Sequence, residues 1–206
     1  VGDLCVKHKV LVVSDEIHSD FTWPGHEHHV FANLDPKYAE ISITCTAPSK
    51  TFNLAGLQTS NIFIPNRTLR KTFKKAIDQA GYSQLNTLGL VACQAAYEEG
   101  EPWLTELKKY LLENLDFSRD YIERNLPGVH LIEPEGTYLI WLDFRDLGLP
   151  EEKLEYLITK EAKLWLDSGA IFGSDGEGFE RINIACPRTT LKEAFDRLAK
   201  ALKSLE

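Results

Sequence analysis

Methionine is missing from all 206 residues, and the chain begins at Val1. A natural start is not expected from that, and the sequence reads as a fragment or as a chain whose front has been removed. No apolar run approaches the ~20 residues a helix needs to cross a bilayer, so no spanning helix is expected. The opening stretch VGDLCVKHKV lacks an apolar core followed by a small-residue cleavage site, so it is not read as a signal peptide. Basic excess is lacking as well: 23 Lys and Arg stand against 31 Asp and Glu, a formal charge of −8. That balance argues against a nucleic-acid partner and against an anionic membrane surface. Among the cysteines Cys5, Cys45, Cys93 and Cys186 there is no CxxC pair, so zinc and redox spacings are absent. Their scatter through apolar segments reads as reduced, buried thiols of a cytoplasmic protein. Internal repeats and low-complexity tracts are not found.

What is present is an ordinary globular composition, 43% apolar and 26% charged, enough to bury a core. The apolar pattern alternates between short runs and helical spacing, the mark of an α/β chain. The start looks like the tail of a helix running into a strand at 10–14 (VLVVS). Further strands are expected at 40–46 (EISITCT) and 59–64 (TSNIFI). A basic amphipathic helix is expected over 67–80, with Lys71, Lys74 and Lys75 on its exposed face, and a buried helix over 87–99. Gly100-Glu101-Pro102 breaks the pattern, and one long helix follows over 103–125. Composition then shifts to strands at 129–132 and 137–144, a helix over 150–162, a strand at 181–185 and a final helix over 190–205. The domain expectation is 1–102 for the end of a large domain, 103–125 for a bridging helix, and 126–206 for a small α+β domain.

In open α/β sheets ligands gather outside the carboxyl ends of the strands. The first strand ends in Ser14-Asp15-Glu16-Ile17-His18, and the second runs into Ala47-Pro48-Ser49-Lys50-Thr51-Phe52-Asn53. Taken alone, Asp15 reads first as a strand-end carboxylate that caps a turn, with a partner cation or protonated heterocycle as the alternative. Lys50 taken alone reads first as a solvated loop lysine, with a nucleophilic amine in a partly dry pocket as the alternative.

Taken together, SDEIH, TAPSKTFNLAGLQ, EPEGTYLIWLD, SGAIFG and RINIACPR resemble the fold-type I pyridoxal-phosphate enzymes of aminotransferase class I/II. The likeness is to their cystathionine β-lyase-like, carbon–sulfur-cleaving branch, and it covers the whole chain as the second half of such an enzyme. The resemblance implies an α/β fold: the end of the large domain, with a mixed, mostly parallel sheet, followed by a small α+β C-terminal domain. It implies pyridoxal 5'-phosphate as cofactor, with Lys50 forming the Schiff base and then acting as general base. Asp15 would pair with the protonated pyridine nitrogen. His18 would lie near the cofactor or orient Asp15, and Ser49 would be a phosphate ligand. Arg181 would hold the α-carboxylate of a small amino-acid substrate, ahead of Arg188. A homodimer is implied for the full-length protein, with most phosphate and ring contacts upstream. Two positions depart from the common aminotransferase pattern: Gln58 where an arginine is frequent, and Ala47 where a serine is frequent. The implied activity is a carbon–sulfur β-lyase. The alternatives are an aminotransferase, or a non-catalytic remnant used for binding.

Other features read plainly. Gly25-His26-Glu27-His28-His29 has no helical support and no fourth ligand, so a solvated loop is expected and no metal. Gly173 to Gly178 carries two acids and no following helix, so it is not a phosphate loop. Tyr82 and Tyr138 are expected as core or cleft-lining aromatics.

Overall fold

The computed structural model describes residues 1–82 and 84–205. The chain divides into two compact units, Val1–Glu106 and Leu107–Glu206.

The first unit runs α1 (Gly2–His8), β1 (Val12–Asp15), α2 (Pro36–Ala39), β2 (Ser42–Thr46), α3 (Pro48–Thr51), β3 (Asn61–Phe63), α4 (Arg67–Gln79) and α5 (Thr87–Glu99). It also holds the start of α6 (Glu101–Asn125). Side-chain caps explain several starts. Asp35 accepts from Lys37 N, Asn66 from Thr68 N and Leu69 N, and Asn86 from Leu88 N, each satisfying donors that a first turn leaves open. The sheet has the order β1-β2-β3, with β1 parallel and β3 antiparallel to the central strand. Asp15 lies opposite Cys45, so β1 and β2 end side by side.

Helix α5 overturns one expectation. It is apolar all round and was expected to be buried, yet Leu88 is 71% exposed, and Leu90, Val91 and Tyr97 are exposed too. Its one buried residue is Gly89, where a Cβ would stand 2.1 Å from Thr59 Oγ1. At Gly89 the helix comes against the 57–59 turn through a residue with no side chain, while Leu88, Leu90 and Val91 stay exposed and Tyr97 reaches Asn61 and Phe52. Tyr82 is likewise exposed rather than core or cleft-lining. All four cysteines are free and half-buried, not buried.

The second unit is a four-stranded antiparallel sheet of order β4-β5-β7-β6, with β4 (His130–Ile132), β5 (Leu139–Asp143), β6 (Asp167–Ser168) and β7 (Phe179–Asn183). Helix α7 (Glu151–Tyr156) continues as a π-helical turn, Leu157–Glu161, and α8 (Arg188–Lys203) closes the chain. Strand alternation puts Ile140, Leu142 and Ile182 on the inner face. They share the core with Leu111, Leu115 and Ile122 of α6, with Leu154, and with Phe195 and Leu198 of α8. Asn114 is fully buried in this core and donates to Ile184 O at 2.7 Å and Cys186 O at 3.0 Å, tying α6 to the stretch after β7. Gly128, at φ +78, ends the approach from α6, and a Cβ there would stand 2.7 Å from Leu147 Cδ2. Strand β7 begins two residues before the apolar alternation starts, because its second residue is an inward-facing acid, Glu180.

No helix among the described residues is long and apolar enough to cross a membrane.

Glu180 is 1% exposed, and its Oε1 has no hydrogen-bond partner among the described residues. Burial, with the charges of Glu155, Glu151 and Asp167 behind it, pushes its carboxyl from 4.5 up to about 8. A carboxyl raised in the folded state adds stability below its unfolded value. That stability drains away as pH rises from 4.5 to about 8. Thermal unfolding should therefore occur at lower temperature at pH 8 than at pH 5. Glu180→Gln should flatten this slope and raise the melting temperature at alkaline pH by roughly 2–4 °C or more. Melts followed by circular dichroism test this; an unchanged slope in the variant would contradict it.

Candidate active site

The site is built on the carboxyl ends of β1 and β2. After Asp15 the chain leaves the sheet in a long loop, and its first residue, Glu16, turns inward and is buried. Glu16 N still bonds Cys45 O at 2.9 Å, extending the parallel ladder by one step. Its carboxylate gathers three donors. Oε1 accepts from Ser14 Oγ at 2.9 Å and from Phe31 N at 3.2 Å, while Oε2 meets His28 Nε2 at 2.9 Å. Burial pushes this carboxyl up, but the hydrogen bonds from His28, Ser14 and the Phe31 amide outweigh that and hold it below its ordinary value. Glu16 thus ties both ends of the 17–31 loop to the strand. That accounts for His28, which sequence reading left in a solvated histidine loop. Among the described residues no group of His, Cys, Asp and Glu is arranged to hold a metal ion.

Asp15, one residue earlier, takes the other face. It is exposed, and its Oδ1 accepts only a long bond from Ile17 N, at 3.3 Å. Its charge is felt by the Cys45 thiol opposite, raised first by burial and then by Asp15. His18 is half-buried in the same loop.

Lys50 sits in the single turn of α3, directly after β2. Pro48 opens the turn, which then closes on itself: Phe52 N bonds Pro48 O at 2.8 Å and Leu54 N bonds Ser49 O at 3.0 Å. Asn53, at φ +56, adopts the left-handed region to reverse the chain. Lys50 is exposed and Ser49 half-buried. Thr51 faces inward at 1% exposure and donates to Asp20 Oδ2 at 2.6 Å. Phe52 packs between Tyr97 and Trp103, at ring distances of 5.9 and 6.1 Å. Asp15, His18, Ser49 and Lys50 therefore all lie on two adjoining strand-end segments. A cavity of about 430 Å³ borders them, lined by Glu16, Asp20, Thr46, Asn61, Phe63 and Tyr97 among others, but neither Asp15 nor Lys50 lines it.

In the second unit, Arg181 lies on the outer face of β7, opposite Trp141. Its Nε and Nη2 both donate to Asp167 Oδ2, at 3.1 and 2.7 Å, and its guanidinium lies 4.8 Å from the Phe172 ring centroid. Arg188 is the first residue of α8. It is spent inside the unit, with Nε donating to Asn114 Oδ1 at 2.6 Å and the guanidinium stacked over Phe117. Sequence reasoning missed Asp20 and Thr51 as members of these arrangements, whereas a salt bridge from Arg181 to Asp167 or Glu180 is the structural alternative the sequence offers, and the pair with Asp167 forms. A Thr directly after the Lys was visible, but nothing local marked its partner 31 residues away.

The sequence profile of the aminotransferase class I and II family matches residues 1–198. The chain is 44% identical over 202 residues to cystathionine beta-lyase PatB of Bacillus subtilis (strain 168), covering 98% of this chain and 52% of that protein. It is 36% identical over 203 residues to cystathionine beta-lyase of Corynebacterium glutamicum, covering 97% and 53%. Among solved structures, cystalysin from Treponema denticola, which contains a pyridoxal 5'-phosphate cofactor, superposes with a TM-score of 0.95 at 42% identity, over 100% of this chain and 52% of that one. The chain spans about half the length of the curated relatives it matches.

Glu16 carries a prediction of its own. Glu16→Ala strips the acceptor from Ser14, Phe31 N and His28 together, and should cost on the order of 2 kcal/mol in urea unfolding at neutral pH. A carboxyl lowered in the folded state gives stability that is present above its unfolded value of 4.5 and lost as pH falls below it. The gap between the unsubstituted chain and Glu16→Ala should therefore narrow under acid. A constant gap would show that packing, not the ionised carboxylate, sets the cost.

Proposed function

Because the chain belongs to the aminotransferase class I and II family, we propose that it forms part of a pyridoxal-phosphate-dependent carbon–sulfur β-lyase acting on a sulfur-containing amino acid. One observation carries the reading beyond family membership. A carboxylate, Asp15, and a primary amine, Lys50, leave the sheet at the carboxyl ends of two hydrogen-bonded parallel strands. The two relatives named cystathionine beta-lyase incline the choice toward elimination and away from transamination. In this reading residues 1–102 are the end of the cofactor-binding domain, 103–125 the helix between domains, and 126–206 the small domain. The free cysteines suit the cytoplasm, and a homodimer of the full-length protein follows from the family resemblance alone.

The donor set fits pyridoxal phosphate. Asp15 is an exposed carboxylate with one weak internal bond, so it has capacity for a cationic ring nitrogen. Lys50 holds its amine in solvent on a turn whose backbone is closed. When bound, the cofactor supplies an aldehyde for covalent attachment and an electron-withdrawing ring that accepts the electrons released at the substrate α-carbon. Asp15 keeps the ring nitrogen protonated by offering it a negative partner. Lys50 would hold the cofactor through Nζ and, with its amine free, would take the α-proton of the substrate. Ser49, one residue before it, offers a hydroxyl to the phosphate, and His18 flanks Asp15. Overall, a thioether amino acid and one water become a thiol, an α-keto acid and ammonium.

Arg181 is assigned to the substrate carboxylate. A guanidinium has five donors in a planar fork. Asp167 takes Nε and one hydrogen of Nη2, which leaves the Nη1–Nη2 edge for a second carboxylate. The ion pair with Asp167 thereby acts as a holder that fixes the plane of the fork.

Two outcomes test this in the protein at its natural length. Lys50→Ala should lose the visible absorption band that forms with pyridoxal phosphate, and should slow thiol release from cystathionine by about 10²–10⁴-fold. A variant retaining both band and rate would remove the reading. Arg181→Lys should keep the band but lower kcat/KM by roughly tenfold to a thousandfold, since lysine cannot copy the two parallel hydrogen bonds. Loss of thermal stability with kcat/KM intact would assign Arg181 to structure alone.

A further inference from the structure

Lys50 is the residue on which the proposed chemistry turns, yet its own side chain is exposed and contributes nothing to holding it in place. What holds it must act through its neighbours. On one side Phe52 is gripped by Tyr97 and Trp103. On the other, Thr51 points into the protein and gives its hydroxyl proton to Asp20. That bond is short, involves an ionisable carboxylate, and joins the loop after β1 to the turn after β2. Asp15 belongs to the first loop and Lys50 to the second.

We propose that Asp20 and Thr51 form a positioning latch that fixes the Lys50 turn against the loop carrying Asp15, and so sets the spacing between amine and ring-nitrogen carboxylate. The proposal rests on the lyase reading of the same site. Asp20 is a firm anchor because the loop it sits on is tied at both ends. Glu16 holds the start through Ser14 Oγ and the ladder bond to Cys45 O, and holds the end through Phe31 N and His28. Phe21 N also bonds His18 O at 3.1 Å, closing a turn around Asp20. Neither Asp20 nor Thr51 need touch substrate or cofactor. The two act through the Lys50 backbone: with Lys50 and Asp15 both holding the cofactor, the separation of the two loops would govern how well it is held.

The latch has a property that separates positioning from stability. Thr51→Val keeps the buried volume, adds no unpaired polar atom, and leaves the exposed Asp20 carboxylate to water. Folding stability should hardly change, whereas registry between the loops should be lost. In the protein at its natural length, titration of the visible band should show pyridoxal-phosphate affinity about tenfold weaker in Thr51→Val and in Asp20→Ala, the size expected for a charge-assisted hydrogen bond that is partly open to solvent. Thr51→Ser, which restores the hydroxyl, should return affinity to within about twofold of the unsubstituted protein. In cofactor-free protein, amide exchange over residues 50–54 should rise about tenfold in Thr51→Val, with the melting temperature shifted by no more than about 2 °C. The latch is overturned if Thr51→Val binds the cofactor and exchanges like the unsubstituted protein, or if Thr51→Ser is as impaired as Thr51→Val. Failure of the unsubstituted protein to form a visible band would instead bring down the lyase reading, and the latch with it.

Discussion

Parallel pairing between β1 and β2, in register from Val12 opposite Ser42 to Asp15 opposite Cys45, determines where every functional side chain of the first unit emerges. Two strands that run the same way finish at the same edge, so the segments that follow them are neighbours however far apart they lie in sequence. Here that edge receives Asp15 and the 16–31 loop from one strand, and the Lys50 turn from the other. Antiparallel pairing would have sent the two segments to opposite edges. The alternation of side chains then sorts the loop start: Asp15 goes to the open face and Glu16 to the buried one. One residue of offset leaves one carboxylate exposed at the strand end and commits the next to holding the loop.

The strands carrying this edge were legible because VLVVS and ISITCT are β-branched runs bounded by polar turns. The placement of Asp15 and Lys50 at adjoining strand ends was legible because both fall at the ends of those runs. Boundaries moved where a polar residue hid inside an element. β7 starts at Phe179, but Glu180 broke the apolar alternation, so the strand read as beginning at Arg181. Helix α8 begins at Arg188, ahead of the Thr190 start read from periodicity, because Pro187 and Arg188 carry no apolar signal. The latch and the loop tie were not legible at all. Asp20 and Thr51 are 31 positions apart, and Glu16 and His28 are 12 apart, with no periodicity connecting either pair. The parallel pairing brings Asp20 beside Thr51, and the fold of the loop after β1 brings His28 back to Glu16.

Helix α5 shows the same limit from the other side. Periodicity reports the environment a helix suits, and an apolar surface on all sides suits burial. The structure reports the environment these residues themselves provide. In the second unit the two agree: Ile140, Leu142, Leu111 and Phe195 are all fully buried. In the first unit they part, since Val13 on β1, Phe63 on β3 and Leu88 and Val91 on α5 are all exposed. The second unit exposes apolar groups too, Trp165 and Ile171 among them, but outside its packed core, whereas in the first unit the exposed groups include strand and helix positions that the sequence pattern marks for burial.

Carboxylates do much of the positioning in both units, which gives the net acidity of the chain a local meaning. Asp20 holds Thr51 beside Lys50, and Asp167 holds Arg181 by one edge of its fork. A holder of this kind must be strong enough to fix geometry and weak enough not to consume the functional group. Asp20 meets the condition by binding the neighbour of Lys50 and not the amine. Asp167 meets it by taking two of the five donors of the guanidinium, both through one oxygen. The Arg181–Asp167 pair has no net charge, so in the proposed reading a substrate carboxylate would gain little there from long-range attraction. It would meet instead a planar pair of donors already aimed, a geometry that suits a carboxylate by shape and hydrogen bonding.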